Sequence, residues 1–450
     1  MREIIASQLP LVASPLDHEH VRELAEIDRL LDAHPEFAQW VRDDLLRGRN
    51  PQTGRRGMSG ELALRALVIK QMNGFSYEQL AFHLSDSNSY RTFCRLGLGE
   101  ASPKISALKL NLKRVHATTL EKIHRALLVE AKEAGVERAN KVRFDCTVTK
   151  ALIQEPSDSS LLWDAVRVLT RGMEEARSWM SVPFRNSSKR AKRRALGIQH
   201  AKTNVQRKRL YNDLLKVAGA TIRSAEQIAA ALDACEGLRP LEHARAVGLA
   251  AKLRHYVVLA RRVESPTVRR LWLDEQVPAN EKIVSIFEPH TDVIIKDRRE
   301  VLYGHKLCLA TGASGLVLDC RIEDGNPADA TLAIGMVERQ QSIFGHMPRQ
   351  VAFDGGFASK ANLTRLKELG IKDIMFSKRR GLRIEDMVRS KGVYRRLRRF
   401  RAGIEAGISF LKRCFGLDRC TWRSLPSFKA YCWGSVVSAN LLVLARHALH

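Results

Sequence analysis

Apolar residues recur at helical spacing through the first part of the chain. Gly60–Asn73 carries apolar side chains at 62, 64, 67, 68 and 72, close to the period of a one-sided helix. Ser76 follows, with Gln79 three residues on, a capping pair that opens the next helix. Ser102-Pro-Lys-Ile-Ser opens another that should run through Leu128. Residues 1–138 therefore read as a helical domain. Short helices with Arg and Lys on exposed faces suit a helix-turn-helix-like DNA-binding module, and a purely structural bundle suits the pattern nearly as well.

The period then changes. A strand-like run at 141–153 is broken by Pro156-Ser-Asp-Ser-Ser, and helical spacing returns from Leu161 to about Val277. Short apolar runs at 283–287, 293–296, 306–310 and 316–322 read as strands separated by turn residues. After the breaker Asp324-Gly-Asn-Pro come a helix (Asp329–Phe344), a strand (Gln350–Phe353), a helix (360–369) and a strand (Asp373–Phe376). Strands in hairpin succession, then alternating with helices, predict a mixed α/β fold: a mixed sheet flanked by helices. Residues 426–450 are apolar but interrupted by Asn440, Arg446 and His447, which predicts a buried terminal helix.

Charge narrows the function. The 450 residues hold 75 Lys/Arg against 49 Asp/Glu, a net charge of +26, and nucleic acid is the partner that such an excess best serves. The positive charge is clustered. Ten Lys/Arg and no acid lie in 185–209, and eleven lie in 378–401 against only Glu385 and Asp386. The eight cysteines show no C-x-x-C spacing, which excludes a zinc ribbon and points to a reducing compartment. With no signal pattern at the N-terminus, the expected location is the cytoplasm, at the nucleoid.

Three acids stand out against this background. In Arg401-Ala-Gly-Ile-Glu405-Ala-Gly-Ile-Ser-Phe-Leu-Lys412, Glu405 falls about 40° from Arg401 and about 20° from Lys412 around a helix, so the three share a face. Asp145 and Asp354 each lie on an apolar strand-like run, and Gly355-Gly356 after Asp354 should turn the backbone sharply and leave room for a bulky substrate. Were the strands neighbours with the helix alongside, oxygen-only ligation would suit Mg2+ or Mn2+, two ions about 4 Å apart serving an in-line displacement at phosphorus. Taken singly, an Asp ending a strand is a turn former and Glu405 is a partner for Arg401. The combination favours chemistry on DNA.

The Arg401–Glu405–Lys412 spacing, Asp145-Cys-Thr-Val with Pro156-Ser-Asp-Ser-Ser-Leu-Leu, and Phe353-Asp354-Gly-Gly-Phe together resemble a DDE transposase of bacterial insertion sequences, closest to the insertion-sequence-five-like and ISNCY-type groups. Gly74-Phe-Ser-Tyr-Glu-Gln-Leu, Asp86-Ser and Tyr90-Arg-Thr-Phe resemble the helical domain before the catalytic core of that family. The resemblance implies an RNase H-like core over 139–156 and 281–425, preceded by the helical DNA-binding domain. It implies Asp145, Asp354 and Glu405 as a catalytic, metal-binding triad, with Arg401 and Lys412 on DNA phosphate. Cleavage at element ends and joining to a target would follow, with terminal inverted repeats and target duplex as partners and a homodimer holding two ends. The family's Tyr, separated by two residues from that Arg, is here Arg398, a further cation for DNA.

Asp145 and Asp354 are far apart in sequence, so 157–280 reads as a helical, basic insertion after the first core strand. Arg190, Arg193 and Arg194 within it are expected to grip DNA. Asp158, Asp319, Asp324 and Asp329 lie close enough in sequence to be confused with the trio; a turn role suffices for Asp324 and a capping role for Asp158, and His290, His305 and His346 are separated singles without ligand spacing. Two other functions stay open: a DNA-binding regulator without chemistry, and an RNase H-fold nuclease that cuts without joining.

Overall fold

The computed structural model describes residues 17–48, 57–97, 99–181, 183–296 and 300–450. The extreme N-terminus, read as lacking a signal, lies outside them. The chain divides into two compact units, one from the segments 1–150 and 306–450 and the other from 151–305.

The first unit begins with α1 (Glu19–Ala33), α2 (Pro35–Leu46), α3 (Gly60–Asn73), α4 (Tyr77–Asp86), α5 (Asn88–Phe93), α6 (Ile105–Leu112) and α7 (Ala117–Glu133), then β1 (Lys141–Lys150). Local chemistry sets several ends. Ser59 caps α3 by accepting from Leu62 N–H, and Gly74 ends it at φ +62, a conformation that suits glycine. Ser76 and Gln79 form the expected reciprocal capping box of α4. The helix expected from 102 to 128 is instead two, α6 and α7. Asp44 at the end of α2 accepts from the His116 amide at 2.8 Å, and Arg114 donates to Leu45 O at 3.1 Å. These bonds hold the break between α6 and α7 open.

The second unit is a helical bundle of α8 (Asp158–Ala176), α9 (Ser188–Gln199), α10 (Asn204–Asp233) and α11 (Pro240–Trp272) around its own apolar cluster. The run 283–287, expected as a strand, is irregular. Ile283 and Ile286 join the bundle core instead, and Ser285 Oγ accepts the Phe287 and Glu288 amides to form a turn. A hairpin follows: β2 (Asp292–Lys296) pairs antiparallel with the first half of β3 (Glu300–Thr311).

The first unit resumes with the rest of β3, then β4 (Val317–Ile322), α12 (Asp329–Phe344), β5 (Gln350–Phe353), α13 (Lys360–Glu368), β6 (Asp373–Phe376), α14 (Ile384–Met387), α15 (Lys391–Cys414) and α16 (Leu425–Leu449). Its sheet is mixed. β4 pairs antiparallel with β3, β3 neighbours β1, and β1, β5 and β6 run parallel. Phe144, Phe353 and Phe376 stand in register across the three parallel strands. Their rings stack at 4.7 and 5.6 Å between centroids.

Helices α1–α7, the sheet and α16 contribute to one continuous core. The helices expected as a separate domain over 1–138, and the terminal helix over 426–450, thus lie in the same compact unit as β1, β4, β5 and β6. α16 is long and apolar enough to span a membrane, but most of it is buried in protein. Its polar interruptions are satisfied: Asn440 accepts from Val317 N–H and donates to Val317 O, and Arg446 donates to Glu23. Lysine burial adds a cost to this core. Lys70 is buried with its ammonium 5.3 and 5.7 Å from the centroids of the Tyr77 and Tyr431 rings, and burial pulls its pKa down to about 8.

Candidate active site

The phenylalanine ladder aligns the residues that follow it. Because Phe144, Phe353 and Phe376 share a register, the next residues are brought to one end of the parallel strands: Asp145 within β1, and Asp354 and Ser377 just past the ends of β5 and β6. Side chains alternate along a strand, so burying the rings on one face turns the polar residues away from it. Ser377 Oγ donates to Asp354 Oδ1 at 2.8 Å, and the Cys146 amide donates to Asp145 Oδ1 at 2.8 Å.

Helix α15 is locked over this edge. Ser390 caps its start by accepting from Val393 N–H, and the buried Tyr394 hydroxyl donates to Phe376 O at 3.0 Å. From β1, Arg143 donates to Phe400 O and to Thr311 Oγ1, both at 2.8 Å, and lies over the Phe400 ring. A β-carbon at position 403 would collide with that guanidinium, so Gly403 permits the helix to approach β1. The approach carries Glu405 to the strand ends.

The three expected acids converge, and they do so on Arg401. Its Nη2 lies 2.8 Å from Asp145 Oδ2 and 3.1 Å from Asp354 Oδ1, and its Nη1 lies 2.7 Å from Glu405 Oε1. The Arg401 side chain is only 13% exposed, whereas that of Glu405 is 65% exposed. The site therefore grades from a buried floor at Asp145 to an open rim at Glu405. Burial pushes the Asp145 carboxyl up to about 6; Arg401 opposes the rise, and Asp354 and Asp329 add to it. Burial works against ionised Asp354 as well. There the Ser377 hydroxyl, the Gly355 and Gly356 amides and Arg401 outweigh it, and the pKa falls below the ordinary carboxylate value.

Arg401 thus faces carboxylates, not the open surface. Lys412 lies 3.9 Å from Asp418, while Arg398 is exposed with Arg395, Arg396 and Arg399. The space expected at Gly355-Gly356 is filled by the protein itself: β-carbons there would run into the Lys378 and Asp329 side chains. In the bundle unit, Arg190 and Arg194 both pair with Asp213 on α10, and Arg193 is exposed. His290 and His305 are not isolated. They meet at 2.8 Å, flanked by Glu288 on the first and Asp292 on the second.

Among the described residues no group of three or more His, Cys, Asp or Glu side chains is arranged to hold a metal ion. The guanidinium stands between the acids that would do so. The donor set nevertheless suits a hard divalent cation, because it is all carboxylate oxygen and two of those oxygens already meet on one atom, Arg401 Nη2.

Residues 288–441 match the transposase DDE domain, and residues 13–114 match a second family described as a transposase domain (DUF772). Both matches are to transposase domains, and the first of them is of the DDE type. No curated protein and no solved structure matches the chain. Asp354 and Glu405 fall inside the matched DDE transposase range. Asp145 precedes it, cut off in sequence by α8–α11, and joins the site only through the pairing of β1 with β5. Three residues that position the site, Arg143, Ser377 and Tyr394, were not picked out from the sequence. Ser377 was the most accessible of them, since it follows an apolar strand run as Asp354 does.

Proposed function

We propose that this transposase binds the ends of its insertion sequence, cuts there and joins the freed 3′-hydroxyl to target DNA, with Asp145, Asp354 and Glu405 as catalytic residues. The observation that carries this reading is the convergence of three sequence-distant carboxylates on one guanidinium at the edge of a mixed sheet. The strand order β4-β3-β1-β5-β6, with the last three parallel, is the order expected of an RNase H-like core.

Asp145, Asp354 and Glu405 would hold Mg2+ or Mn2+, one ion or two. Bound there, the metal would supply Lewis-acid stabilisation of charge developing on phosphate oxygens. The protein's own part is positioning. Ser377 and the turn amides orient Asp354, Arg143 and Tyr394 orient the Glu405 helix, and Arg401 balances the charge of the acids where no cation is bound. Exposed Arg395, Arg396, Arg398 and Arg399 offer a cationic ridge along α15 for the DNA backbone. Lys412 adds a cation on α15, and the bundle arginines, Arg193 foremost, offer DNA a cationic region on their own unit. Two element ends brought together call for two copies of the chain, acting on nucleoid DNA in the cytoplasm.

The test is incubation with the element's own end DNA and Mg2+, comparing wild type with Glu405→Gln. Wild type should yield cleaved and joined products, and the variant should bind the same DNA without cutting it. Cleavage surviving in Glu405→Gln would remove Glu405 from the mechanism. Binding without cleavage by wild type would favour the regulator, and cleavage without joining the nuclease.

A further inference from the structure

Asp329 lies outside the triad and outside any hydrogen bond to it. It opens α12, and its Oδ1 accepts from Lys306 Nζ at 2.8 Å. Lys306 also donates to Pro327 O at 2.7 Å and is itself mostly buried, with 12% of its side chain exposed. The other oxygen, Oδ2, occupies the place where a β-carbon on Gly356 would be. The short turn Gly355–Phe357, which directly follows Asp354, therefore rests on the Asp329 carboxylate. Asp329 is also close enough to Asp145 to bear on its ionisation.

These contacts give one side chain two physical effects. The first is steric: the carboxylate props the turn whose amides face Asp354. The second is electrostatic: it adds a negative charge behind the acids, partly cancelled by Lys306. We propose that Asp329 is a positioning residue of the active site, seating the Asp354 turn and, with Lys306 as its counter-charge, setting how strongly the acids attract a divalent cation. This rests on the triad reading above.

A carboxamide of the same shape keeps the prop and removes the charge, whereas removing the Lys306 ammonium leaves the charge uncompensated. The two substitutions should therefore move cation affinity in opposite directions, an outcome that a purely structural role does not produce.

The probe is Mn2+ alone, titrated into the full-length protein without DNA and followed by calorimetry or by the paramagnetic resonance of free Mn2+. Asp329→Asn should weaken Mn2+ binding by about tenfold and Lys306→Gln should tighten it by a similar factor, the order expected for one nearby unit charge in a partly solvated site. Thermal melts of each variant check that the fold is intact, and Asp329→Glu supplies a second arm that restores the charge. Both variants staying within twofold of wild type, while Asp145→Asn abolishes binding, would overturn the role of Asp329 and leave the triad standing. Wild-type binding that Asp145→Asn does not weaken would overturn the triad, and this inference with it.

Discussion

Arg401 Nη2 sits 2.8 Å from Asp145 Oδ2, joining a helix to a strand that the chain places far away in sequence. The same guanidinium also touches Asp354 and Glu405, so it holds the ground that a cation would take. Metal and arginine compete for one set of oxygens. Arg401→Gln should raise Mn2+ affinity by roughly tenfold. Titration of Mn2+ into the DNA-free protein checks this. Weaker Mn2+ binding in the variant would mean that Arg401 organises the acids more than it blocks them.

Asp145 is ionised at a cost. Its pKa in the fold is about 6 against an ordinary 3.8, chiefly through burial. A carboxyl whose pKa is raised by folding destabilises the protein above the folded pKa, and the penalty disappears as pH falls toward the unfolded one. Asp145→Asn should therefore stabilise the fold at pH 7, by up to about 3 kcal/mol, while abolishing cleavage. The gain should shrink between pH 6 and pH 4. Denaturant melts of both proteins across that window measure it, and equal stability at pH 7 would contradict the assignment.

Lys70 offers an independent check away from the chemistry. Its folded pKa of about 8 lies below the ordinary 10.5, so the penalty of burying its charge is complete below pH 8 and relieved as pH rises toward 10.5. Lys70→Met should stabilise the protein by about 1–3 kcal/mol at neutral pH, the upper figure reduced by the loss of the two aromatic contacts. The difference should narrow toward pH 10. Urea midpoints at pH 7 and pH 10 decide the matter.

Two glycines on α15 should behave oppositely. At Gly403 a methyl group would meet the Arg143 guanidinium, whereas at Gly407 it would meet nothing within 4 Å. Gly403→Ala should cost about 1–3 kcal/mol and disturb the seat of Glu405. Gly407→Ala should stabilise the helix by up to about 1 kcal/mol. Cleavage rates and melting temperatures of the pair form a matched comparison, in which loss of activity by Gly403→Ala alone is the expected result.

Much of the α/β half was legible because strong punctuation bounds each element. Asp329–Phe344, Gln350–Phe353 and Asp373–Phe376 are delimited by Pro, Gly and Asp, and their observed bounds coincide with those drawn from spacing. Less could be drawn where tertiary contacts decide. Apolar content alone did not distinguish a strand at 283–287 from residues that fill a helical bundle. The break between α6 and α7 depends on Asp44, which spacing within 102–128 does not contain.

The site was legible in composition but not in pairing. Helical phase puts Arg401 and Glu405 on one face, yet the identity of the guanidinium's other partners follows from where β1 and β5 lie. Asp329 was set aside as one of several acids of similar context. Only the closeness of Gly356 and Lys306 separates it from Asp324, which is nearly fully exposed beside Lys429.

The stacked rings of Phe144, Phe353 and Phe376 have a consequence for how the site can fail. Sliding β5 by a single residue would swap inward and outward faces and aim Asp354 into oil. Greasy residues beneath the site thus keep its carboxylates in alignment, and damage to them would scatter the cluster without altering any acid.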